Sequence, residues 1–528
     1  MKNKLPPSIF NDVLGPVMRG PSSSHTAAAV RIGRVIKQFF NCTHLKITVE
    51  FDQDGSLATT YNNQGTDIGL AAGLLGMNPA DENLTESLSL AKIAGINLEF
   101  KISSFRAHHP NTFRIEAGEE SGDSFKFVFI STGGGMFELI ELNGIPLSIK
   151  GDYYETLILF NSTGTDNREA VVKNFAASFP VHEVIFFKSI NNKNLINIKS
   201  RQPNSGDIPS WLYSKYNFLP VIHLTPELPV LSRQTIKLPF HNAVGLLQAA
   251  DRRNNQLDEL AVDYECCRGG LTEAEVFQLA ADILKVMKCS IKNGLSGTHY
   301  RDRILGAQGH KMLSYKGITA GGEEIKKIIA YTSAVMETKS SMGVIAAAPT
   351  AGSCACLPGT LVAFSETNAI DDNLLIKALL SAGIIGVLIA GKSTFAAEEC
   401  GCQAECGSSS AMSAAALVQL AGGNATQALA AASIAMQNIL GMVCDPVANR
   451  VEVPCLGKNI LAGMNALAAS NMALAGYDQV IPFDDALLAF DQVGRMLPPE
   501  LRCTGKGGLS ITNSSRLLQN KLKKQRGV

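Results

Sequence analysis

The stretch NATQALAAASIAMQNIL, residues 424–440, decides the fold of the second half of the chain. It contains neither glycine nor proline, and its alanine, leucine, isoleucine and methionine residues are typical of a buried helix. Similar segments rich in Ala, Leu, Ile and Gly follow one another from about residue 242, for example at 273–293, and strand patterns are few. The sequence therefore predicts a large all-α domain over residues 241–528.

Upstream of this domain the character of the sequence changes. Six prolines and little periodicity between residues 203 and 240 predict a linker over about 206–240. Strand patterns at 155–161 and 183–190 flank a helical pattern at 167–179, which predicts a small βαβ domain over 151–205. Residues 1–150 combine strand patterns (45–52, 98–102) with helical ones (66–75, 85–94), so the predicted fold is multidomain with an α/β N-terminal domain.

Composition and charge exclude several classes of partner. The 47 Lys and Arg residues balance the 47 Asp and Glu residues, and no basic stripe alternates with aromatic residues, so we expect no nucleic-acid partner. Residues 1–10 run into two prolines and lack the apolar core of a signal peptide, which predicts a cytoplasmic protein. The most apolar stretch, 374–390, contains Lys377 and is shorter than the ~20 residues that span a bilayer, so we expect a buried helix and no membrane association.

Twelve cysteines in a chain without an export signal are expected to remain thiols that bind metal or lie buried. Cys402, Cys444 and Cys455 lack the local spacing of a zinc finger, since 41 and then 10 residues separate them. Each lies at the predicted end of a helix or extended segment, where a thiolate can face a cofactor. Burial as small apolar residues is the alternative interpretation.

The residues around these cysteines carry a family resemblance. The motifs CQAE (402–405), LGMVCDPV (440–447), VEVPC (451–455) and APTAG (348–352) resemble the α-domain signatures of bacterial iron–sulfur L-serine dehydratases. GPSSSHT (20–26) and GSLA (55–58) resemble the β-domain signatures of the same family, and residues 154–202 are similar to its ACT domain. The resemblance covers essentially the whole chain and implies that Cys402, Cys444 and Cys455 bind three irons of a [4Fe–4S] cluster whose fourth iron is open to substrate.

The role of Cys503 stays open. Some family members have a C-terminal cysteine that reaches the open iron in the absence of substrate, whereas this chain ends in QRGV. Cys503 is therefore either an alternative cap of that iron or a packing residue. The remaining cysteines are expected to be packing residues or incidental thiols: Cys42, Cys266, Cys267, Cys289, Cys354, Cys356, Cys400 and Cys406.

The loop of Ser22, Ser23, Ser24, His25 and Thr26 is the predicted substrate-binding segment. It offers several hydroxyl groups and, with a helix predicted from about residue 27, free backbone N–H groups that suit an amino acid's carboxylate. An ordinary helix N-cap is the alternative, but it needs only one hydroxyl. The resemblance implies a catalytic role for the histidine, whose side chain can also donate to a carboxylate or move a proton near neutral pH.

The second β-domain motif departs from the family. Relatives usually have GHGTD where this chain has NQGTD at 63–67, so Gln64 replaces the histidine that is favoured as acid and base, and an amide cannot act as a base. His109, in the motif AHHPN, is an alternative base, or else a surface or capping residue. Thr350 and Gly352 are expected to line the substrate side of the cluster, with a purely structural turn as the alternative for Gly352.

Taken together, the resemblance implies that the open iron activates the β-hydroxyl of L-serine while a base removes the α-proton, giving pyruvate and ammonia. Two alternatives remain. One is a dehydratase for another β-hydroxy amino acid or a β-thiol analogue, suggested by Gln64 and by the altered segment at 294–301. The other is a non-catalytic, cluster-bearing sensor of amino acids or oxygen. No motif for NAD, ATP or pyridoxal phosphate is found, and we expect a homodimer because ACT-like domains often pair.

Overall fold

The structure is a computed structural model that describes residues 5–526 except 43, 120–121, 123, 162–171, 174–181, 191–192, 204–216, 219–220, 252–255 and 301. In its first 150 residues the strands are β1 (Val17–Met18), β2 (Leu45–Asp52), β3 (Ile96–Ser103), β4 (Thr112–Glu119), β5 (Ser124–Gly133), β6 (Met136–Leu142) and β7 (Ile145–Ile149). The helices are α1 (Ala28–Lys37), α2 (Leu57–Thr60), α3 (Thr66–Leu74) and α4 (Ser87–Ile93). The predicted strands and helices of this part are therefore present, and the prediction missed the strands from β4 to β7.

Six of these strands form one sheet in the order β3-β2-β4-β5-β6-β7, in which only the β2–β3 pair is parallel. Alternate side chains of the strands point into the core beneath α1 and α3. Five fully buried phenylalanines, which bring large apolar area to this core, come from β2, β4, β5 and β6: Phe51, Phe113, Phe127, Phe129 and Phe137.

A second, antiparallel sheet follows. Its strands are β8 (Tyr154–Asn161), β9 (Val184–Ile190), β10 (Lys193–Ser200), β11 (Asn217–Phe218) and β12 (Ile222–Leu224). Their order is β11-β8-β10-β9, and β12 also pairs with β8. The two predicted strands are present, with the unpredicted β10 between them, whereas the predicted helix at 167–179 lies almost entirely outside the described residues. The prediction of a linker is wrong for residues 217–218 and 222–224, because β11 and β12 complete this sheet.

The rest of the described chain is helical, as predicted. Its helices are α5 (Ala243–Ala250), α6 (Leu257–Gly269), α7 (Glu273–Leu295), α8 (Gly309–Ser314), α9 (Gly322–Ser340), α10 (Cys356–Thr367), α11 (Asp372–Lys392), α12 (Ala397–Cys402), α13 (Ser408–Leu420), α14 (Ala425–Gln437), α15 (Cys455–Leu474), α16 (Phe483–Met496) and α17 (Asn513–Arg526), with one short strand, β13 (Ile345–Ala346). Among the described helices, only α11 is long and apolar enough to cross a membrane, and 72% of its most apolar window is buried inside the protein. It is the predicted core helix.

The start of the chain joins the two halves. The turn Ile9–Val13 packs on α11, where Ile9 and Val13 lie against Gly383 and Gly386. β1 then pairs with β13, with Val17 opposite Ala346. The segment that follows β13 then runs beside Gly15 and Pro16, since the backbone N–H of Ala347 donates to the carbonyl of Pro16 (3.0 Å). The 20–26 loop reaches the same segment through Ser23, whose hydroxyl accepts from the backbone N–H of Ala351 (3.1 Å).

Helices α1 and α3 pack closely through glycines, which gives a test of the fold. A Cβ atom on Gly73 would lie 2.0 Å from the carbonyl oxygen of Val30. We therefore expect Gly73→Ala to cost about 1–3 kcal/mol of stability, because the backbones must move apart. Thermal unfolding measures the loss. Gly391→Ala is the control, since a Cβ there meets nothing within 4 Å; an equal loss in both variants would contradict the tight α1–α3 contact.

Candidate active site

The 20–26 loop is buried and tied to both halves of the protein. Residues Ser23–Ala27 form one wide helical turn that leads directly into α1, close to where the helix was predicted to begin. The Ser23 hydroxyl accepts a hydrogen bond from the backbone N–H of Ala351 (3.1 Å), and Ser131 of β5 donates to the carbonyl of Ser24 (2.8 Å). Since one bond reaches the helical half and the other the sheet, the loop lies at the junction between them.

His25 lies at the centre of this loop and has no solvent exposure. Its Nδ1 is 3.0 Å from the hydroxyls of both Ser22 and Ser24, and its Nε2 is 2.8 Å from the hydroxyl of Thr60. Ser24 donates to the carboxylate of Glu398 (2.8 Å), which itself lies 3.7 Å from Nδ1. Burial lowers the pKa of His25 below its usual value, and the nearby Glu398 only partly opposes this effect. The ring is therefore neutral at neutral pH and able to accept a proton.

The three predicted cysteines come together on the other side of the loop. The Cys402 thiol is hydrogen-bonded to the thiols of Cys444 and Cys455, and the Cys444 thiol also contacts Cys503. All four side chains are buried. The hydrogen bonds from Cys444 and Cys455 lower the pKa of the Cys402 thiol, so one member of the group ionises readily, as a metal-binding thiolate must.

The local backbone explains how cysteines so far apart in sequence meet. Gly401 has a positive φ of +70°, which turns the chain just before Cys402. The backbone N–H of Gln403, the residue after Cys402, donates to the carbonyl of Met442 (2.9 Å). The backbones of Cys444 and Cys503 are also paired, with Cys503 N–H donating to the Cys444 carbonyl (3.0 Å). Cys455 is the first residue of α15. Sequence spacing gives no sign of these contacts.

Cys503 is held in a backbone conformation that residues other than glycine rarely adopt, with φ at 61°. Such strained positions persist where the surrounding structure fixes them and often occur at functional sites. Its thiol joins the group at Cys444. The structure thus places a fourth cysteine beside the three predicted ones.

Charged side chains surround the thiols. Lys458, one turn after Cys455, donates to the carbonyl of Val443 (2.6 Å) and to the carboxylate of Asp445 (2.8 Å). Burial by itself lowers the pKa of Lys458, but the negative charges at Cys402, Cys444 and Cys455 and the hydrogen bond to Asp445 together outweigh that effect and raise the pKa. The ammonium group therefore stays charged and stabilises thiolates beside it.

Thr350 and Gly352 lie next to the side chain of Glu405. The Thr350 hydroxyl donates to Glu405 (2.6 Å), and a Cβ on Gly352 would lie 2.5 Å from a Glu405 oxygen. Burial, with the charge at Cys402, raises the pKa of Glu405 to about 8. Glu405 is among the described residues that line the cavity at the thiols, whereas Thr350 and Gly352 are not. Glu405, which both residues contact or adjoin, therefore lies between them and the cavity.

A small cavity of about 20 Å³ lies between the serine loop and the thiols. Its polar and sulfur-bearing lining residues are Ser22, Ser24, Gln64, Glu398, Glu405, Cys444, Cys455 and Cys503. Space of this size holds about one water molecule. A ligand as large as an amino acid therefore enters only when these side chains move apart.

Gln64 lines this cavity and carries an unpaired donor. Its Nε2 is buried and has no hydrogen-bond partner among the described residues, while its backbone carbonyl accepts from the Thr26 hydroxyl (2.8 Å). Thr26 thus holds Gln64 in place and does not itself line the cavity. A buried donor without a partner is costly unless a ligand satisfies it, so Gln64 is suited to bind a substrate acceptor.

His109 lies elsewhere. Its Nε2 is 3.4 Å from the carboxylate of Glu399, and both residues line a larger cavity of about 310 Å³ together with Arg495. His109 is not among the described residues that line the thiol cavity. The structure brings Asn111 closer to the serine loop instead, since the carbonyl of Asn111 accepts from the N–H of Ser131 (3.0 Å), the residue that holds Ser24.

The sequence analysis did not identify Thr60, Glu398 or Lys458. Thr60 follows the GSLA motif by two residues, and Glu398 precedes Cys402 by four. Neighbours of the same type, Thr59 and Glu399, stand beside two of them. Only the folded chain shows which residue of each pair faces His25.

The family model described as "Serine dehydratase alpha chain" matches residues 228–510, and the model described as "Serine dehydratase beta chain" matches residues 14–139. The two matches contain the thiols and the serine loop respectively.

Individual relatives agree with these matches. The chain is 35% identical over 285 residues to the "Probable L-serine dehydratase, alpha chain" of Bacillus subtilis, and the aligned region covers 54% of this chain and 95% of that protein. It is 39% identical over 199 residues to the "Probable L-serine dehydratase, beta chain" of the same bacterium, covering 37% and 87%. The "L-serine dehydratase" of Haemophilus influenzae is 24% identical over 499 residues, covering 93% of this chain and 96% of that protein.

Proposed function

Because the chain belongs to the serine dehydratase family and contains the α-chain and β-chain regions in one polypeptide, we propose that it is an L-serine ammonia-lyase that converts L-serine to pyruvate and ammonia. The observation that carries this proposal is the meeting of the serine loop and the cysteines around one buried cavity. Loop hydroxyls, an amide donor and a carboxylate face a group of thiols there. This combination suits a small zwitterion beside a metal cofactor.

The cofactor we propose is a [4Fe–4S] cluster held by Cys402, Cys444 and Cys455. Among the described residues, no set of three or more Cys, His, Asp or Glu side chains is arranged around a single metal ion, but buried thiols with a low-pKa member are the donor set of iron–sulfur clusters. When bound, the cluster supplies a Lewis acid for the β-hydroxyl of the substrate.

Complementary charges orient the substrate in this proposal. The unpaired Nε2 of Gln64, a residue that lines the cavity, suits the substrate carboxylate, while the single hydrogen of the Ser22 hydroxyl is directed to Nδ1 of His25. The carboxylate of Glu398 faces the same cavity and suits the α-ammonium group. The Gln64 amide thus binds and does not act as the base, which explains how the chain functions without the usual histidine.

In this proposal Ser22 carries the α-proton of the substrate from the cavity to His25. His25 is not among the described residues that line the cavity. Ser22 does line it, and its hydroxyl lies 3.0 Å from Nδ1 of His25. The α-proton passes to the Ser22 oxygen as the Ser22 proton passes to Nδ1. The C–H electron pair forms the new double bond while the β-hydroxyl departs as hydroxide, which takes up the proton held on Nδ1, passed back through Ser22, and leaves as water. The aminoacrylate released takes up water and yields pyruvate and ammonia.

A substrate panel tests the proposed reaction. Under anaerobic conditions we expect the highest kcat/KM for L-serine among L-serine, D-serine, L-threonine and L-cysteine, with equal amounts of 2-oxo acid and ammonia. A higher value for another substrate would support the alternative that Gln64 suggests, a dehydratase for a different β-substituted amino acid. Ammonia release from none of them by iron-replete protein would support the sensor.

The setting we propose is the cytoplasm, with a free amino acid as the ligand. The equal numbers of acidic and basic residues suit a small zwitterionic substrate and give no attraction to polyanions. The ACT-like sheet β11-β8-β10-β9 supports our expectation of a homodimer. Light scattering of purified protein tests the dimer, and a monomeric mass at assay concentration would contradict it.

A further inference from the structure

We infer that Thr60 is a positioning residue that fixes the tautomer of His25, with the proton on Nε2 and the free electron pair on Nδ1. The inference concerns a hydrogen-bond chain that runs from the Ser56 carbonyl through Thr60 to the imidazole. Its catalytic consequence rests on the proposed function, whereas the tautomer itself is a property of the folded chain.

The first step is the single hydrogen of the Thr60 hydroxyl. The Thr60 oxygen lies 2.6 Å from the carbonyl oxygen of Ser56 and 2.8 Å from Nε2 of His25. A carbonyl oxygen only accepts hydrogen bonds, so the hydroxyl hydrogen must point to Ser56. The Thr60 oxygen then presents a lone pair to the ring, and Nε2 must carry a hydrogen to make the second contact.

The second step concerns the opposite nitrogen. The Ser24 hydroxyl donates to the carboxylate of Glu398 (2.8 Å), which uses its only hydrogen. The Ser22 hydroxyl lies 3.0 Å from Nδ1 and 3.2 Å from the Ser24 oxygen, and the shorter contact assigns its hydrogen to the ring. The neutral imidazole is therefore an Nε2–H donor toward Thr60 and an Nδ1 acceptor toward Ser22. The accepting nitrogen is the one on the cavity side.

Burial makes Thr60 necessary. Thr60 and His25 are both fully buried, and Ser56 is 2% exposed. No bulk water replaces a lost acceptor there. Without the Thr60 oxygen, the Glu398 carboxylate 3.7 Å from Nδ1 favours a proton on that nitrogen. The ring would then carry its free electron pair on the side away from the cavity.

Local structure explains why threonine suits the position. Ser56 precedes α2, and Thr60 is its last residue, so the hydroxyl reaches the carbonyl four residues earlier, a bond that Ser and Thr make in helices. Serine can make the same bond, whereas valine keeps the shape and lacks the oxygen. Thr59 is exposed and does not contact the ring, although its hydroxyl lies 3.4 Å from the same carbonyl.

The test compares Thr60→Val, Thr60→Ser and the control Thr59→Val in the full chain. Nitrogen-15 NMR of histidine-labelled protein reports the tautomer, and His25→Gln identifies the His25 signals. We expect the Nε2–H form in the unchanged protein, in Thr60→Ser and in Thr59→Val, and a shift toward Nδ1–H in Thr60→Val. With L-serine, we expect kcat of Thr60→Val to fall roughly 10²-fold, within the range of general-base contributions, while Thr60→Ser stays within a few-fold.

The outcomes separate this inference from the proposed function. An Nδ1–H tautomer in the unchanged protein overturns the inference, whatever the activity and whether or not Thr60→Val folds. A Thr60→Ser variant as impaired as Thr60→Val also overturns it, because the hydroxyl is then not the determining group. Absence of ammonia release together with an Nε2–H ring that responds to Thr60→Val would overturn the proposed function and leave the tautomer assignment standing.

Discussion

Replacing Cys402 with alanine is expected to remove the iron and the activity together. Cys402 is the central thiol of the group, since it is hydrogen-bonded to both Cys444 and Cys455. Loss of one thiolate from a three-cysteine site leaves a cluster without a stable attachment. Lewis-acid activation contributes several kcal/mol, so kcat should fall by about 10³-fold or more. Iron and sulfide analysis of anaerobically purified protein measures the first effect, and pyruvate formation measures the second.

The control for this experiment is Cys354→Ala. Cys354 is also a fully buried cysteine of the helical half, but none of the four clustered thiols is hydrogen-bonded to it. We expect it to retain iron and most of the activity. Iron content in Cys402→Ala equal to that of the unchanged protein would contradict the assignment of the ligands.

Replacing His25 with glutamine is expected to abolish most of the activity while leaving the iron in place. Glutamine can keep hydrogen bonds in the pocket but cannot accept the proton, so kcat should fall by about 10²- to 10⁴-fold. Since His25 contacts Ser22, Ser24 and Thr60 and none of the thiols, iron content should not change. This separation of chemistry from cofactor binding distinguishes His25→Gln from Cys402→Ala.

Two other histidines provide the comparison. His108 is exposed, and His108→Gln should behave like the unchanged protein. His109 pairs with Glu399 at the larger cavity, so His109→Gln should cost far less than His25→Gln. A larger loss for His109→Gln than for His25→Gln would transfer the role of the base to His109.

The pH dependence of kcat/KM follows from the same residue. Burial lowers the pKa of His25 from its usual value near 6.5, and the neutral form is the one that accepts a proton. Activity is therefore present above the lowered pKa and is lost as the pH falls through it. We expect the acid limb attributable to His25 to lie below about pH 6.5. An acid limb at higher pH that disappears in His25→Gln would contradict the neutral ring.

The helices and several strands could be predicted because their patterns are local. The alternation of β2 and the Ala-rich periodicity of α14 reflect burial on one face or on all faces, which a short window of sequence contains. β10 was missed because no recognised pattern marked the residues that follow the second predicted strand, and β11 and β12 were missed among prolines that suggested a linker. Short strands like these depend on a partner, here β8, which the sequence alone does not identify.

The residues of the candidate site were predicted only in part. Motifs identified Cys402, Cys444 and Cys455, and the structure brings them together. Glu398 and Glu399 could not be told apart from the sequence, because they are adjacent carboxylates on one short helix. In the structure Glu398 lines the cavity at the thiols and Glu399 lines the larger cavity. Which of the two meets Ser24 depends on how α12 packs against the serine loop, a contact between residues more than 370 positions apart.

The central claim is that this chain eliminates water from L-serine at a cluster held by its three cysteines. The most direct test is anaerobic purification, iron and sulfide analysis, and addition of L-serine to the same sample. We expect about four irons and a matching amount of sulfide per chain, with pyruvate and ammonia formed in equal amounts. A full complement of iron with no ammonia from L-serine, or undiminished ammonia release from iron-free protein, would contradict it.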